Sequence, residues 1–530
     1  MPALTLLSRR PCAALHLLLV ALVLAATGAE AQRVGSSPFT PPPVNDITFV
    51  VDAAPGLDTP CTFRSGGPLR FSVKTTRYVG ETNADGTLRD AAALVTAGII
   101  APTAKLTMPG FDVDSAAVVS PPIQPERDRV LFNGQPLGFL QGVNNAWVLN
   151  SFEIPIARLR FPSRGAAGTA PTPVNNDVVI EIDTANTDEV WCTAVDWAAL
   201  SIKALSPVIL VHGNNSNGGF YDRQGFAATL RAQRIPFDNS IDMPTDFIAT
   251  HGAQLNTLIP NIVKSFGVDS VHLVAHSKGG LDSRDYLARY QPARDVDFKV
   301  LSLTTLSTPH NGSVLADVLI AYETAAAASS FVSFSGFPGM TAALARTLTA
   351  DNGTRNLTTG FVAAFNGGNI GSLPAATVFN TVASDADTNG NAAIDSTPDE
   401  YRDLRTESVA LTRVHSVSTA TSRGIVDAMY QILRNTASVS ISYSTSGVGP
   451  FTVTTSTVAS VPLAAPLGND TLVTIPSGQG TGSIAGRVSN SAIFTGAAGR
   501  NHSNVANGGV AVTVVPWIFD VERRNGDLRP

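Results

Sequence analysis

The stretch "VHLVAHSKGGLDSRDYL", Val271 to Leu287, sets a serine at a corner. An apolar run leads into Ser277, two glycines follow at 279 and 280, and a helix-like pattern begins. A strand–serine–helix corner strains the serine backbone, so it needs small neighbours, and here they are Ala275 and Gly279. Glycine is the usual residue at the first of these places, and alanine is a mild departure. The corner lifts the Ser277 hydroxyl clear of a sheet. It also sets the hydroxyl beside a helix N-terminus that favours developing negative charge. Those are the requirements of a nucleophile that attacks a carbonyl, and the Lys278 N–H behind it is the first expected donor to an oxyanion.

A second donor should come from the loop after an earlier strand. "PVILVHGNNSNGG" supplies one: after the apolar run and His212-Gly213, the backbone N–H of Asn214 is the candidate. A serine hydroxyl also needs a base, and the base needs a carboxylate to orient it. The expected chain order is serine, acid, histidine. His251 and His310 come too early for that order, and His212, His272 and His276 belong to the motifs already described. His502 lies in a Thr/Val-rich region read as a separate β domain. His415 follows a strand-like run and precedes the helix-like "SRGIVDAMYQIL", so it is the expected base. The acid should follow the strand "ATVFNTVAS", and "SDADTNGNAAIDSTPDE" offers Asp385, Asp387 and Asp395 there. Asp387, three residues past the strand, is the favoured one. Asp385-x-Asp387-x-Asn389-Gly390 is also the opening half of a calcium loop. That pattern fails further on, with serine rather than glutamate at its twelfth position, Ser396. No cofactor is required by the chemistry, and a structural Ca2+ at 385–395 is the one metal expectation.

These residues need elements to hold them. From about Leu205, strand-like runs alternate with helix-like ones, which predicts βαβ units and a mostly parallel sheet over 204–435. An insertion at 311–375, rich in Ala, Phe and Ser, is expected as a helical cap, with Phe331, Phe334 and Phe337 three apart. Before this α/β domain, residues 45–203 carry short β-branched runs punctuated by Gly, Pro and Asn. After it, residues 436–530 do the same. Both are expected as β-sandwich-like domains flanking the α/β core.

The chain of 530 residues is long enough for several domains. It is 44% hydrophobic and 15% charged, with net charge −6 and no basic run. These values exclude a disordered chain and a nucleic-acid-binding one. Residues 1–31 read as an export signal: Arg9 and Arg10, the apolar "LHLLLVALVLAA", then small residues at Ala29 and Ala31. A Pro-rich leader at 32–44 follows. The apolar core is short for a span of about 20 residues. A secreted protein with no membrane span after signal removal is therefore expected, and Cys61 and Cys192, the cysteines outside the signal, should pair. Closing so long a loop stabilises by roughly 4–5 kcal/mol in the chain-entropy model.

"PVILVHG", "GVDSVHLVAHSKGGLDSRDYLA", "TTLSTPHNGS" and "LTTGFVAAFN" resemble the secreted true lipases of Pseudomonas and Burkholderia. The layout from "TVFNTVASDAD" to "RVHSV" is closer to the small Bacillus lipases. The resemblance covers about 205–435. It implies an α/β-hydrolase fold and carboxylic-ester hydrolysis through an acyl-enzyme. It implies Ser277, Asp387 and His415 as triad, with the N–H groups of Asn214 and Lys278 as oxyanion hole. Lipid or ester substrates at an interface are its implied partners. The chain departs from the Pseudomonas type at Val417, where that family carries a calcium-binding Asp. The flanking β regions have no counterpart in that resemblance, and a polyester depolymerase of the same mechanism is the alternative reading. A surface-binding protein on a hydrolase scaffold is the non-enzymatic one.

Overall fold

A computed structural model of the chain describes residues 35–337, 350–395, 419–447 and 452–526. The expected export signal at 1–31 lies outside these residues. The chain divides into two compact units. The first takes the residues up to Thr75 with Thr103–Arg160 and Val174–Ile202. The second takes Thr76–Pro102, Phe161–Pro173 and everything from Lys203 onward.

In the second unit, strands from Lys203 onward run, in chain order, β1 (Val208–Val211), β2 (Phe237–Asp238), β3 (Ser270–His276), β4 (Lys299–Leu306), β5 (Phe331–Ser335), β6 (Val378–Ser384), β7 (Thr436–Ser446), β8 (Val453–Pro462) and β9 (Val488–Phe494). The long helices of this region are α1 (Ile248–Phe266), α2 (Lys278–Arg289), α3 (Val314–Ala328), α4 (Thr359–Asn369), α5 (Thr419–Asn435) and α6 (Gly508–Asn525). Six strands form one sheet in the order β2-β1-β3-β4-β6-β9. Every pair in it is parallel. Each β1 residue is buried, as in a strand covered on both faces. The α/β architecture with a parallel sheet is therefore present. Helix α1 buries Leu255, Ile259, Ile262 and Phe266 at helical spacing. It stops at Gly267, whose φ of 66° only glycine adopts freely. These side chains pack with Leu273 of β3, Tyr286 of α2 and Phe379 of β6 into one core.

The β domain expected over 436–530 does not form as a unit of its own. β7 and β8 join β5 in a separate three-stranded sheet. Val458 of that sheet packs with Leu315 and Val318 of α3 and Tyr430 of α5. β9 enters the central sheet beside β6. "GVAVTVVPWIFDV", one of the β-branched runs of the expected β domain, lies in α6. Its Val-rich composition favours a strand locally, but Val510, Val514, Ile518 and Val521 fall on one buried helical face. The Asn507 side chain caps the start by accepting from the Val510 N–H. The expected helical cap at 311–375 is mixed. It holds α3, α4 and the strand β5, while 338–349 lie outside the described residues. Phe331 and Phe334 alternate along β5 rather than sharing a helical face, and Phe331 is exposed. No helix of the described residues is long and apolar enough to cross a membrane.

The first unit is built of two antiparallel sheets, one of six strands and one of four. Its strand Leu69–Thr75 buries every second residue, the period of a half-covered strand. Cys61 and Cys192 form the expected disulfide; Cys61 immediately precedes the strand Thr62–Phe63, in which Phe63 faces Cys192 of the neighbouring strand. Glu126 and Asp128 are fully buried in this unit. The Glu126 carboxyl accepts from the Asp114 N–H at 2.6 Å. Burial, and then the charge of Asp128, push its pKa up strongly.

A carboxyl whose pKa is raised by folding contributes stability below its unfolded value, near pH 4, and loses it as pH rises through the folded value. The melting temperature of the protein is therefore expected to fall as pH is raised from about 5 to 9. Glu126→Gln keeps an acceptor for Asp114 and a donor for Asp128, and should flatten that dependence. A pH series of thermal melts on both proteins checks it, and parallel curves would show that Glu126 is ionised in the folded state.

Candidate active site

Ser277 sits between β3 and α2 with φ 54° and ψ −131°. A non-glycine residue there costs about 1–3 kcal/mol, and the surroundings hold it. Its N–H donates to the Leu306 carbonyl at 2.9 Å, and its carbonyl accepts from Thr308 Oγ1 at 2.8 Å. A Cβ at position 279 would collide with the His212 carbonyl oxygen, so glycine there lets β1 and α2 close together. The Lys278 side chain turns away into the core, where its ammonium meets Asp282 at 2.7 Å. What remains for the site is its N–H, at the first turn of α2, where helix geometry provides no partner.

The imidazole on Ser277 is that of His502. Its Nε2 lies 2.8 Å from Ser277 Oγ, and its Nδ1 lies 2.9 Å from Asp470 Oδ2. With Nδ1–H donating to the carboxylate, Nε2 is left to accept the serine proton. All three residues are buried. His502 follows β9, and the β9–β6–β4–β3 succession of parallel strands carries it to the same sheet end as Ser277. Its backbone is pinned twice: the N–H donates to the Asp470 carbonyl at 2.8 Å, and its carbonyl accepts from His276 Nε2–H at 2.8 Å. Burial first, then His502, hold the His276 pKa well below its ordinary value, so His276 serves as a neutral strut. Asp470 Oδ1 accepts from the Leu472 and Val473 N–H groups at 3.0 and 2.7 Å, which leaves Oδ2 for the imidazole.

Asp470 reaches the end of β6 from far along the chain. Asn469 accepts from the Ala386 N–H at 2.8 Å, and the Asn469 N–H donates to Asp385 Oδ1 at 3.4 Å. Asp470 thus stands beside the residues just past β6, but it is none of the aspartates expected there: the chain makes an excursion through α5, β7 and β8 before supplying it. Asp387 is spent otherwise. Its carboxylate accepts from the N–H groups of Gly390, Asn391 and Ala392 at 2.7, 3.2 and 2.7 Å. Those three donors close a turn over 387–392. Asp395 accepts from the Asn389 and Asn391 side chains. His415 lies outside the described residues.

Asn214 lies in the loop after β1, next to the serine: a Cβ on Gly213 would press on Ser277 Cβ and the His276 ring. The loop is braced at several points. His212 Nδ1 bonds the Gly213 carbonyl at 2.8 Å, and its Nε2 accepts from the Met243 N–H at 3.0 Å. Asn215, at φ 52°, donates its N–H to Thr245 Oγ1 at 3.1 Å. Sequence reasoning thus named the serine and the loop, and it missed Asp470 and His502. The missed signal was the helical spacing of 510–521. Reading α6 as a helix makes "RVSNSAIF" the last strand of an alternating α/β series and places His502 between its last strand and last helix.

No protein-family model matches the sequence. Over 122 residues it is 34% identical to a triacylglycerol lipase of Pseudarthrobacter phenanthrenivorans, covering 21% of this chain and 35% of that one. It is 34% identical over 122 residues to a triacylglycerol lipase of Burkholderia plantarii, with 21% and 31% covered. Triacylglycerol lipase 2 of Saccharomyces cerevisiae is 40% identical over 97 residues, with 18% and 28% covered. The chain resembles lipases. The matches span about a third of these curated relatives' length. Among solved structures, Bacillus licheniformis lipase BlEst2 in mature form aligns with TM-score 0.34 and 20% identity, covering 59% of this chain and 92% of that one. A lipase-esterase related protein from Clostridium acetobutylicum aligns with TM-score 0.26 and 11% identity, over 59% and 93%.

The geometry assigns distinct outcomes to single substitutions. Ser277→Ala, His502→Ala and Asp470→Asn are each expected to lower ester turnover by about a thousandfold or more, while His415→Ala keeps the parental rate. Turnover of p-nitrophenyl butyrate by the four purified variants is the measurement. A loss in His415→Ala matching that of His502→Ala would return the base to position 415.

Proposed function

We propose that the protein is a secreted serine hydrolase that cleaves carboxylic esters of the lipid class, on an α/β-hydrolase scaffold. One observation carries the reading: the hydrogen-bonded succession Ser277 Oγ–His502 Nε2, His502 Nδ1–Asp470 Oδ2, at the C-terminal end of a parallel sheet. In this reading Ser277 Oγ attacks the ester carbonyl as its proton passes to His502 Nε2. Asp470 orients the ring and stabilises the imidazolium without taking the proton. The carbonyl oxygen becomes an oxyanion received by the backbone N–H groups of Asn214 and Lys278. Collapse expels the alcohol, protonated from His502, and leaves an acyl group on Ser277. Water, deprotonated by the same imidazole, then releases the acid. No metal takes part in any of these steps.

The substrate class rests on the curated relatives, described as triacylglycerol lipases, and a polyester surface is the alternative substrate of the same chemistry. Export is supported by the first 31 residues and by the disulfide, a bond that persists in oxidising compartments. A binding protein on a dead hydrolase scaffold would have no need for a strained serine with an oriented imidazole on it.

A fluorophosphonate probe is expected to label the protein, with no label on Ser277→Ala. On p-nitrophenyl esters of increasing acyl length, hydrolysis should persist to long chains. Activity restricted to the shortest esters would exclude a lipase and leave a small-ester esterase, and an unlabelled parent protein would overturn the serine-hydrolase reading itself.

A further inference from the structure

The oxyanion loop owes part of its shape to a residue far from it in sequence. Asp351 opens the short helix Asn352–Arg355 within the insertion after β4. Its carboxylate accepts from the Thr354 N–H at 2.7 Å, the ordinary duty of a helix N-cap. The same carboxylate accepts from Asn214 Nδ2 at 3.2 and 3.4 Å and from Asn215 Nδ2 at 2.8 Å. Two consecutive side chains of the oxyanion loop are therefore tied to one anion. Burial raises the Asp351 pKa, but the hydrogen bonds from Thr354, Asn215 and Asn214 outweigh it, and the group is held below its ordinary range. It is an anion at every pH where the enzyme would work.

The helix is shaped to this contact. A Cβ on Gly353 would strike Asn214 Oδ1, so the backbone at 353 lies directly against the Asn214 amide. Neighbouring bonds tie the same segment to the loop before α1. Asn352 Nδ2 donates to Asp246 at 3.2 Å, and the Ile248 N–H donates to the Asn356 side chain at 2.7 Å. Thr245, in that loop, holds Asn215 from the other side through its N–H and side-chain oxygen. Asn215 itself sits at positive φ, a conformation that needs outside support.

We infer that Asp351 is a positioning residue of the oxyanion hole: by anchoring the side chains of Asn214 and Asn215 it fixes where the Asn214 N–H points. This rests on the serine-hydrolase reading. An oxyanion donor works only if it is aimed before the charge develops, and loss of one donor costs about 10²–10³ in kcat. A donor left in place but poorly aimed loses part of that.

The cap role and the positioning role separate by substitution. Serine is as good an N-cap as aspartate but cannot reach both asparagines with two charged oxygens. Alanine at 353 favours the helix by intrinsic propensity yet displaces Asn214. Asp351→Ser and Gly353→Ala are compared with the parent in kcat and KM on p-nitrophenyl butyrate, in inhibition by a boronic acid that forms a tetrahedral adduct on Ser277, and in melting temperature. Expected is a fall in kcat of about tenfold or more in both variants, with KM within about twofold and boronate affinity falling in step with kcat/KM. Asp351→Ser with parental kcat and boronate affinity would overturn the inference, as would losses confined to melting temperature. A parent protein that neither hydrolyses esters nor reacts with a fluorophosphonate refutes the underlying function instead.

Discussion

The pairing of β9 with β6 is the contact on which the site depends. Phe379 to Ser384 lie beside Val488 to Phe494 in parallel register, and the Asp385 N–H closes the end of the pair on the Phe494 carbonyl. Parallel strands put all their C-terminal ends on one side. Adding β9 to that side delivers the loop bearing His502 to a serine 225 positions earlier. Once the loop is there, the local bonds are short and numerous. His276 holds the His502 carbonyl, Asp470 holds its N–H and its ring, and Asn501 Oδ1 accepts from the Ser503 and Asn504 N–H groups to close the turn. The strain stored at Ser277 is balanced by that surrounding network and not by the serine's own neighbours alone.

What could be read in the chain beforehand follows from how local each signal is. β1, β3 and α2 are defined by runs of buried apolar residues and by glycines that the elbow requires within a few positions, so Ser277 and Asn214 were legible. The disulfide was legible because only two cysteines lie outside the expected signal. Asp470 and His502 were not, because their identity depends on β9 joining the sheet across a long excursion. Ser/Thr/Val-rich β7 and β8 do form strands, and they made everything after residue 436 look like one β region. Composition alone could not tell a three-stranded sheet packed on α3 from a return to the central sheet. At α6 two signals conflict. β-branched residues favour extended chain, whereas burial of Val510, Val514, Ile518 and Val521 follows the helical period. The period wins because tertiary burial outweighs the small per-residue propensity of valine.

The aspartates just after β6 show how proximity along the chain misleads. Asp385 and Asp387 sit at the right strand end, yet each is used to build the turn there. Asp385 Oδ1 receives Tyr430 Oη at 3.2 Å and the Asn469 N–H, and so holds in place the segment that carries Asp470. Asp387 ties up three amides of its own loop. An acid that must leave one oxygen for an imidazole cannot also be the residue that closes the turn with both. Asp470 meets that condition because the N–H groups of Leu472 and Val473 take only its Oδ1.

The two long insertions of the α/β unit therefore have different relations to the chemistry. The one after β6 delivers the acid on its way back. The one after β4 carries Asp351, whose carboxylate meets the asparagines of the loop after β1. Donors to an oxyanion on a loop are less well fixed than donors on a helix, since a loop has no internal ladder to hold its N–H directions. The Lys278 N–H is aimed by α2 itself. The Asn214 N–H has no such ladder. Besides His212 in the same loop, it relies on bonds from Thr245 and Asp351, which come from two other stretches of chain. That asymmetry explains why one half of the proposed oxyanion site is compact in sequence and the other half is dispersed. It also places the energetic vulnerability of the site on the dispersed half, where a change at position 351 can act without touching substrate.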